Sequence, residues 1–246
     1  MDGLLLIAAA GLVAGYVNAI AGAGSLLTLP ALVFSGLDAS AANATNRISV
    51  LAHAVTSGWT FRSKGVNAPP ALLWLTAPAC LGAGLGAWVA SVLEPDAIGL
   101  AIALVMVVMV VLQFVRPRTD VLPASDARVG PAMVVGFFAI GVYAGFIQAG
   151  TGILVLLFLA SFRVDLVSGN AVKVIVNAAL TVIAIAVFAF QRETIDLARG
   201  FLLAATTSVG GVIGARAAVK RGEGFIKLAV TIAVLASAAK LLYDTF

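Results

Sequence analysis

Residues 98–115, Ile-Gly-Leu-Ala-Ile-Ala-Leu-Val-Met-Val-Val-Met-Val-Val-Leu-Gln-Phe-Val, run for 18 positions without a charge. A helix needs roughly 20 apolar residues to cross a bilayer, and such runs recur along this chain. Apolar segments fill residues 3–20, 44–61, 70–92 and 97–115, then 130–148, 168–190, 197–219 and 225–243, with shorter ones at 25–36 and 151–161. The chain is 62% hydrophobic and 11% charged, with a mean hydropathy of +1.12. A water-facing exterior cannot be built from so few polar residues. The expected class is therefore all-α, a polytopic integral membrane protein. Met1-Asp2-Gly3-Leu4-Leu5-Leu6 lacks the basic start of a signal peptide, so the first segment reads as a membrane segment.

One apolar run is interrupted where it ought to continue. Between residues 3–14 and 26–34 lies Gly15-Tyr-Val-Asn-Ala-Ile-Ala-Gly-Ala-Gly-Ser25, with Pro30 just beyond. Glycine costs a helix interior about 1 kcal/mol against alanine. Non-helical backbone at membrane depth is tolerated only where it is buried in protein or lines a wet cavity. A broken helix leaves free N–H groups at the start of its second half, and these attract anions. The stretch recurs in altered form as Gly145-Phe-Ile-Gln-Ala-Gly-Thr-Gly152.

The two halves align at an offset of about 127 to 130 residues along their sequence. Gly22 and Gly24 match Gly150 and Gly152, Asn18-Ala19 matches Gln148-Ala149, and Asn43-Ala44 matches Asn170-Ala171. Gly82, Gly86 and Ala87 match Gly210, Gly214 and Ala215. The chain thus reads as a first transmembrane repeat (1–115), a polar linker (116–128) and a second repeat (129–246). Paired interruptions at corresponding positions are the best sequence pointer to a transporter binding site.

Basic residues select the topology. If each broken segment crosses once, Lys and Arg divide almost evenly between the two sides. If each goes in and comes back, the repeats are inverted. Arg62, Lys64, Arg116, Arg118, Arg128, Arg163, Lys173, Arg216, Lys220, Arg221 and Lys227 then share one side, against Arg47, Arg192, Arg199 and Lys240 on the other. That asymmetry fits the positive-inside rule. It puts the linker in the cytoplasm and both termini outside, in a bacterial inner membrane. The 25–36 and 151–161 pieces are only about 18 Å long as helices, which suits re-entrant segments. The net charge of +4 reports orientation, not nucleic-acid binding. The single cysteine, Cys80, excludes an intramolecular disulfide and supplies no metal cluster.

Polar residues in apolar runs usually face the protein interior or a water-filled path. Asn18, Gly22, Gly24, Ser25, Asn43, Thr45, Asn46 and Arg47 form one group, with His53 further along. Gln148, Gly150, Thr151, Gly152, Asn170, Lys173 and Asn177 form the other. Each pairs a glycine-rich break with a polar helix start carrying one cation, a constellation suited to an oxyanion. Arg47 offers a two-oxygen fork and Lys173 a point charge. Plainer readings stand beside this one: snorkelling cations near helix ends, glycines that allow close packing, and His53 as a hydrogen-bonded interior residue rather than a proton or substrate contact. Trp59, Trp74 and Trp88 read as belt or packing aromatics. Enzyme motifs are absent: no His-Glu-x-x-His, P-loop or Gly-x-Ser-x-Gly, and no paired carboxylates within the spans. The acidic residues Asp38, Glu94, Asp96, Asp120 and Asp126 fall in loops, which disfavours both a carboxylate proton relay and a cationic substrate.

Gly22-Ala-Gly-Ser25 with Pro30, Ala42-Asn-Ala-Thr-Asn46, Phe61-Arg-Ser-Lys-Gly-Val-Asn67 and Gly82-Ala-Gly-Leu-Gly-Ala87, with their second-half counterparts, resemble the TauE/SafE (TSUP) family of sulfite and organosulfonate exporters. The resemblance covers essentially the whole chain. It implies a secondary transporter without cofactor or metal. Its substrate would be a small sulfur-containing anion such as sulfite or a sulfoacetate-like C2 sulfonate, in alternating access around a central site. A homodimer in the lipid bilayer is a fair expectation. Export of an anion is favoured by a cell-negative potential, by about 2.3 kcal/mol per charge per 100 mV. An anion channel and a non-transporting membrane scaffold are the rival readings.

Overall fold

A computed structural model describes residues 2–21, 24–112, 114–115 and 129–217. Gly22, the linker and the expected 225–243 segment lie outside the described residues. Ten helices are described: α1 (Asp2–Ala21), α2 (Ser25–Phe34), α3 (Ala39–Ser63), α4 (Pro70–Leu73), α5 (Thr76–Ser91), α6 (Pro95–Leu112), α7 (Pro131–Phe146), α8 (Thr151–Ser161), α9 (Leu166–Phe190) and α10 (Leu197–Ala217). The protein is all-α, and among the described residues three stretches are long and apolar enough to cross a membrane: Pro70–Ser91, Pro95–Leu112 and Val167–Phe190. Leu81, Val111 and Phe201 are exposed, as lipid-facing positions would be. Trp59, Trp74 and Trp88 are exposed as well.

Both breaks fall where the glycines cluster, and both are hairpins. Gly24 lies against Ala14 and Asn18, and Gly3 lies against Ser35. The chain therefore turns at the end of α1, and α2 comes back along it toward the face where α1 began. In the second half Gly136 of α7 lies against the Phe158 ring of α8, so α8 returns in the same manner. With 10 and 11 residues, α2 and α8 are about 15 Å long at 1.5 Å per residue, too short to span.

The counterpart helices α3 and α9 run antiparallel. Arg47, early in α3, sits over the Phe188 ring late in α9, 5.3 Å from its centroid. Gly58, late in α3, approaches Val174, early in α9. The two halves are thus inverted relative to one another. One face of the protein carries Gly3, Ser35 and the start of α10, because Arg199 donates to the Ser35 carbonyl (3.3 Å). The opposite face carries the start of α7 (Pro131), the end of α3 and the loop before α9.

The halves interlock by exchanging one helix each. Helix α5 packs on α7 and α9, while α10 packs on α1 and α3. Small residues make this possible. A Cβ added at Gly82 or Gly86 would overlap the carbonyls of Phe138 or Val142, and one at Gly141 or Gly145 those of Ala79 or Ala83. The mirror seam repeats the device, with Gly15 against Thr207 and Gly210 against Leu12. Without a hydrophobic force between helices in lipid, such backbone-to-backbone approach is what holds them together.

Three local features refine the expected boundaries. Helix α3 starts at Ala39 rather than residue 44, because Asp38 caps it by accepting from the Ala41 N–H at 2.8 Å. Asp165 caps α9 in the same way, accepting from Val167 and Ser168. The 70–92 span is divided at Trp74–Leu75, since Pro78 has no N–H to offer the Trp74 carbonyl.

Candidate functional site

A cavity of about 540 Å³ opens between the two breaks and the Pro131 face. Asn18, Gly24, Ser25 and Thr28 line it from the first hairpin, and Gln148, Thr151 and Gly152 from the second. The C-terminal half of α3 contributes a polar wall from Ser49 through His53, Thr56, Ser57 and Thr60 to Lys64. Asn170, Lys173 and Asn177 face it from α9, and Thr207, Ser208 and Gly211 from α10. No Asp or Glu lines it among the described residues.

The breaks are shaped by different means. Gly150 adopts φ +68°, a left-handed conformation that side chains resist, and its Cβ position is occupied by Met109 (2.8 Å). Gly24 has ordinary helical angles, φ −59° and ψ −36°, and is needed for space against Ala14. The two breaks touch: the Gly150 N–H donates to Ser25 Oγ at 2.9 Å. Asn18 Oδ1 accepts from Gly24 N–H at 3.3 Å, closing the first hairpin. In the second, Tyr143 donates its hydroxyl to the Ala149 carbonyl. Thr151 and Gly152 open α8, so their N–H groups precede its intrahelical ladder and stand at the cavity wall.

The two predicted cations are placed differently. Lys173 lines the cavity and donates to Asn170 Oδ1 at 2.6 Å. An ammonium has three donors, so two are left for a ligand. Arg47 is fully buried and lies outside the cavity lining. Its guanidinium donates to the carbonyls of Ala144, Gly145 (2.7 Å) and Phe146 (3.4 Å), and to Gln148 Oε1 (3.2 Å). It thereby satisfies the last carbonyls of α7, a helix end that would otherwise be buried without partners. Asn43 assists, its Nδ2 donating to the Phe146 carbonyl at 2.8 Å and its Oδ1 accepting from Arg47. Asn46 accepts from Thr28 Oγ1 at 2.7 Å and, like Asn43 and Gly150, does not line the cavity.

Gln148 belongs to both settings. It lines the cavity, accepts from Arg47, and donates to Thr181 Oγ1 at 2.5 Å. Asn177 Oδ1 is buried without a hydrogen-bond partner. His53 lies at the cavity wall with Nε2 3.1 Å from Ser57 Oγ. The hydroxyl wall of α3 and α10 was not singled out from sequence. Thr56, Thr60 and Thr207 bond carbonyls of their own helices, and only the packing of α10 on α3 places them together.

Beyond the spans, three carboxylates order the faces. Partial burial pushes the Asp165 carboxyl up, but the N–H groups of Ser168 and Val167 outweigh it and hold the group below 3.8. At the opposite face the Arg199 backbone N–H and guanidinium hold Asp196 below 3.8. Partial burial, with Asp38 nearby, raises Glu193. Asp196 N–H donates to Thr45 Oγ1 at 3.0 Å, so the start of α10 is tied to α3 as well as to Ser35.

Comparison with known proteins places the chain among membrane transporters. The family profile described as "Sulfite exporter TauE/SafE" matches residues 7–241. The "Probable membrane transporter protein YfcA" of Escherichia coli (strain K12) is 25% identical over 237 residues, covering 95% of this chain and 87% of that one. A "Probable membrane transporter protein" of Haemophilus influenzae is 26% identical over 253 residues, covering 99% and 96%. No solved structure matches the chain. With a duplicated, inverted fold and a family match across nearly its whole length, the chain belongs to the TauE/SafE sulfite exporter family.

Proposed function

We propose that the protein is a membrane transporter, not an enzyme, and that it exports a small sulfur-containing anion. Sulfite or a C2 organosulfonate such as sulfoacetate would be carried across the bacterial inner membrane by alternating access around the cavity. The observation that carries this reading is Lys173, a cation in a cavity between two broken helices that has no Asp or Glu among its described lining residues. Its two remaining donors, the Asn177 and Gln148 amides and the N–H groups of Thr151 and Gly152 would surround a sulfonate's oxygens. Helix N-termini favour anions at such positions. Lys64 and Arg62 at the Pro131 face support a cytoplasmic mouth, which would supply the anion from inside the cell. Membership in a family described as sulfite exporters and the transporter names of the relatives support the reading.

The test is thermal unfolding of the purified protein in detergent with sulfite, sulfate, sulfoacetate, taurine, phosphate and acetate at matched ionic strength. A ligand of the folded state at 100 times its Kd stabilises by about 2.7 kcal/mol. The expected result is stabilisation by sulfite or sulfoacetate that Lys173→Gln abolishes. Stabilisation that survives Lys173→Gln moves the site elsewhere, and no shift with any anion removes the anion assignment.

A further inference from the structure

The cavity has an inverted twin that this conformation keeps shut. Offsetting α3 by the 127 residues that separate Asn43 from Asn170 brings His53, Ser57 and Phe61 onto Leu180, Ala184 and Phe188 of α9. The first three line the open cavity. The second three are fully or almost fully buried. Ala184 and Phe188 pack with Ala87 and Ala90 of α5 and Ile147 of the second break in one apolar cluster. The surrounding helices correspond too, since α5 packs on both α7 and α9 as α10 packs on both α1 and α3. One arrangement of helices thus occurs twice in opposite orientation, once parted around a polar space and once closed.

We propose that the seam between the C-terminal half of α9 and α5 opens to the Gly3 face as the α3–α10 cavity closes, and that Ala184 and Val187 line this second cavity. The inference rests on the transporter reading and adds to it the residues of the opposite-facing state. The physical reason is the exchange of counterpart geometries: if each repeat adopts the other's conformation, the molecule becomes its own inverted image at little cost in packing. The two walls differ in chemistry. Toward the Pro131 face the anion meets hydroxyls, His53 and Lys64. On the mirror path it meets Leu180, Ile183, Ala184 and Val187, with Gln191 in the place of Lys64. The first wall ends in a cation that attracts an anion. The α9 wall of the second carries none, and the nearby Arg47, over Phe188, is engaged by the α7 carbonyls. That asymmetry suits loading at the Pro131 face and release at the Gly3 face.

Water access to introduced thiols tests this, because membrane-impermeant charged methanethiosulfonates react with cysteines in water and not with those in packed protein or lipid. In a Cys80→Ser background, Ser57→Cys, Ala184→Cys and Val187→Cys are each exposed to reagent from one membrane face at a time, in intact cells and in everted vesicles. Ser57→Cys is expected to react from one face, and Ala184→Cys and Val187→Cys from the other. In the Ser57→Cys/Ala184→Cys double variant, blocking position 57 with a bulky reagent is expected to abolish labelling at 184. If neither 184 nor 187 reacts from the face opposite to 57, or if all three react from the same face, the second cavity is overturned. Labelling needs no substrate, so it stands or falls separately from the anion panel.

Discussion

Helices α3 and α9 are counterparts, yet their polar starts do opposite jobs. The α3 start is dry. Arg47, Asn43 and Asn46 are buried, and Arg47 and Asn43 bond to the carbonyl end of α7. The α9 start faces open space, with Asn170, Lys173 and Asn177 lining the cavity. In the alignment Lys173 corresponds to Asn46 and Arg47 to Val174, so the two cations occupy different positions within their repeats. Duplication has conserved where helices go more faithfully than what their side chains do. One cation holds the second break in place. The other faces the cavity and bonds only Asn170 among the described residues.

The largest effect should separate these roles. Arg47→Ala leaves the Ala144, Gly145 and Phe146 carbonyls and Gln148 Oε1 buried with fewer or no partners. Each buried acceptor left without its partner costs about 1–3 kcal/mol, so reversible unfolding in mixed micelles should show a loss of several kcal/mol. Lys173→Ala should leave stability nearly unchanged while weakening anion binding. Equal destabilisation by both substitutions would erase the contrast.

A second prediction compares the two glycine seams. Gly86→Leu and Gly15→Leu each place a side chain where a neighbouring carbonyl lies, and overpacking of this kind costs about 1–3 kcal/mol. Both should lower thermal stability. Gly15→Leu should also change anion binding, because Gly15 lines the cavity and Gly86 does not. The same binding change in both would argue against the cavity as the site.

The smallest effect concerns the caps. Asp38→Ala and Asp165→Ala should each cost about 1 kcal/mol, measured by thermal unfolding. The Asp165 carboxyl is held below its ordinary 3.8, so its contribution is present above that pH and is lost as pH falls through the depressed folded value. An acid titration of stability should therefore show a decline below about pH 4 that is smaller in Asp165→Asn.

Much of this was legible in the residues. Hydrophobic length dictates membrane helices, because backbone groups in lipid must bond within their own segment. Glycine clusters at 22–24 and 145–152 mark the breaks, as a helix tolerates them poorly, and the aligned motifs with the basic asymmetry imply inversion. Asp38, read from sequence as a loop acid, is of the residue type and position that caps a helix. Which cation meets the cavity was decided only by tertiary structure. In the linear chain Arg47 and Lys173 are each a cation shortly after an Asn-Ala pair near a helix start, and the one-residue shift between them does not say what either meets. Their roles separate because α3 and α9 cross antiparallel and α7 ends beside Arg47, bringing unpaired carbonyls to one cation and open space to the other.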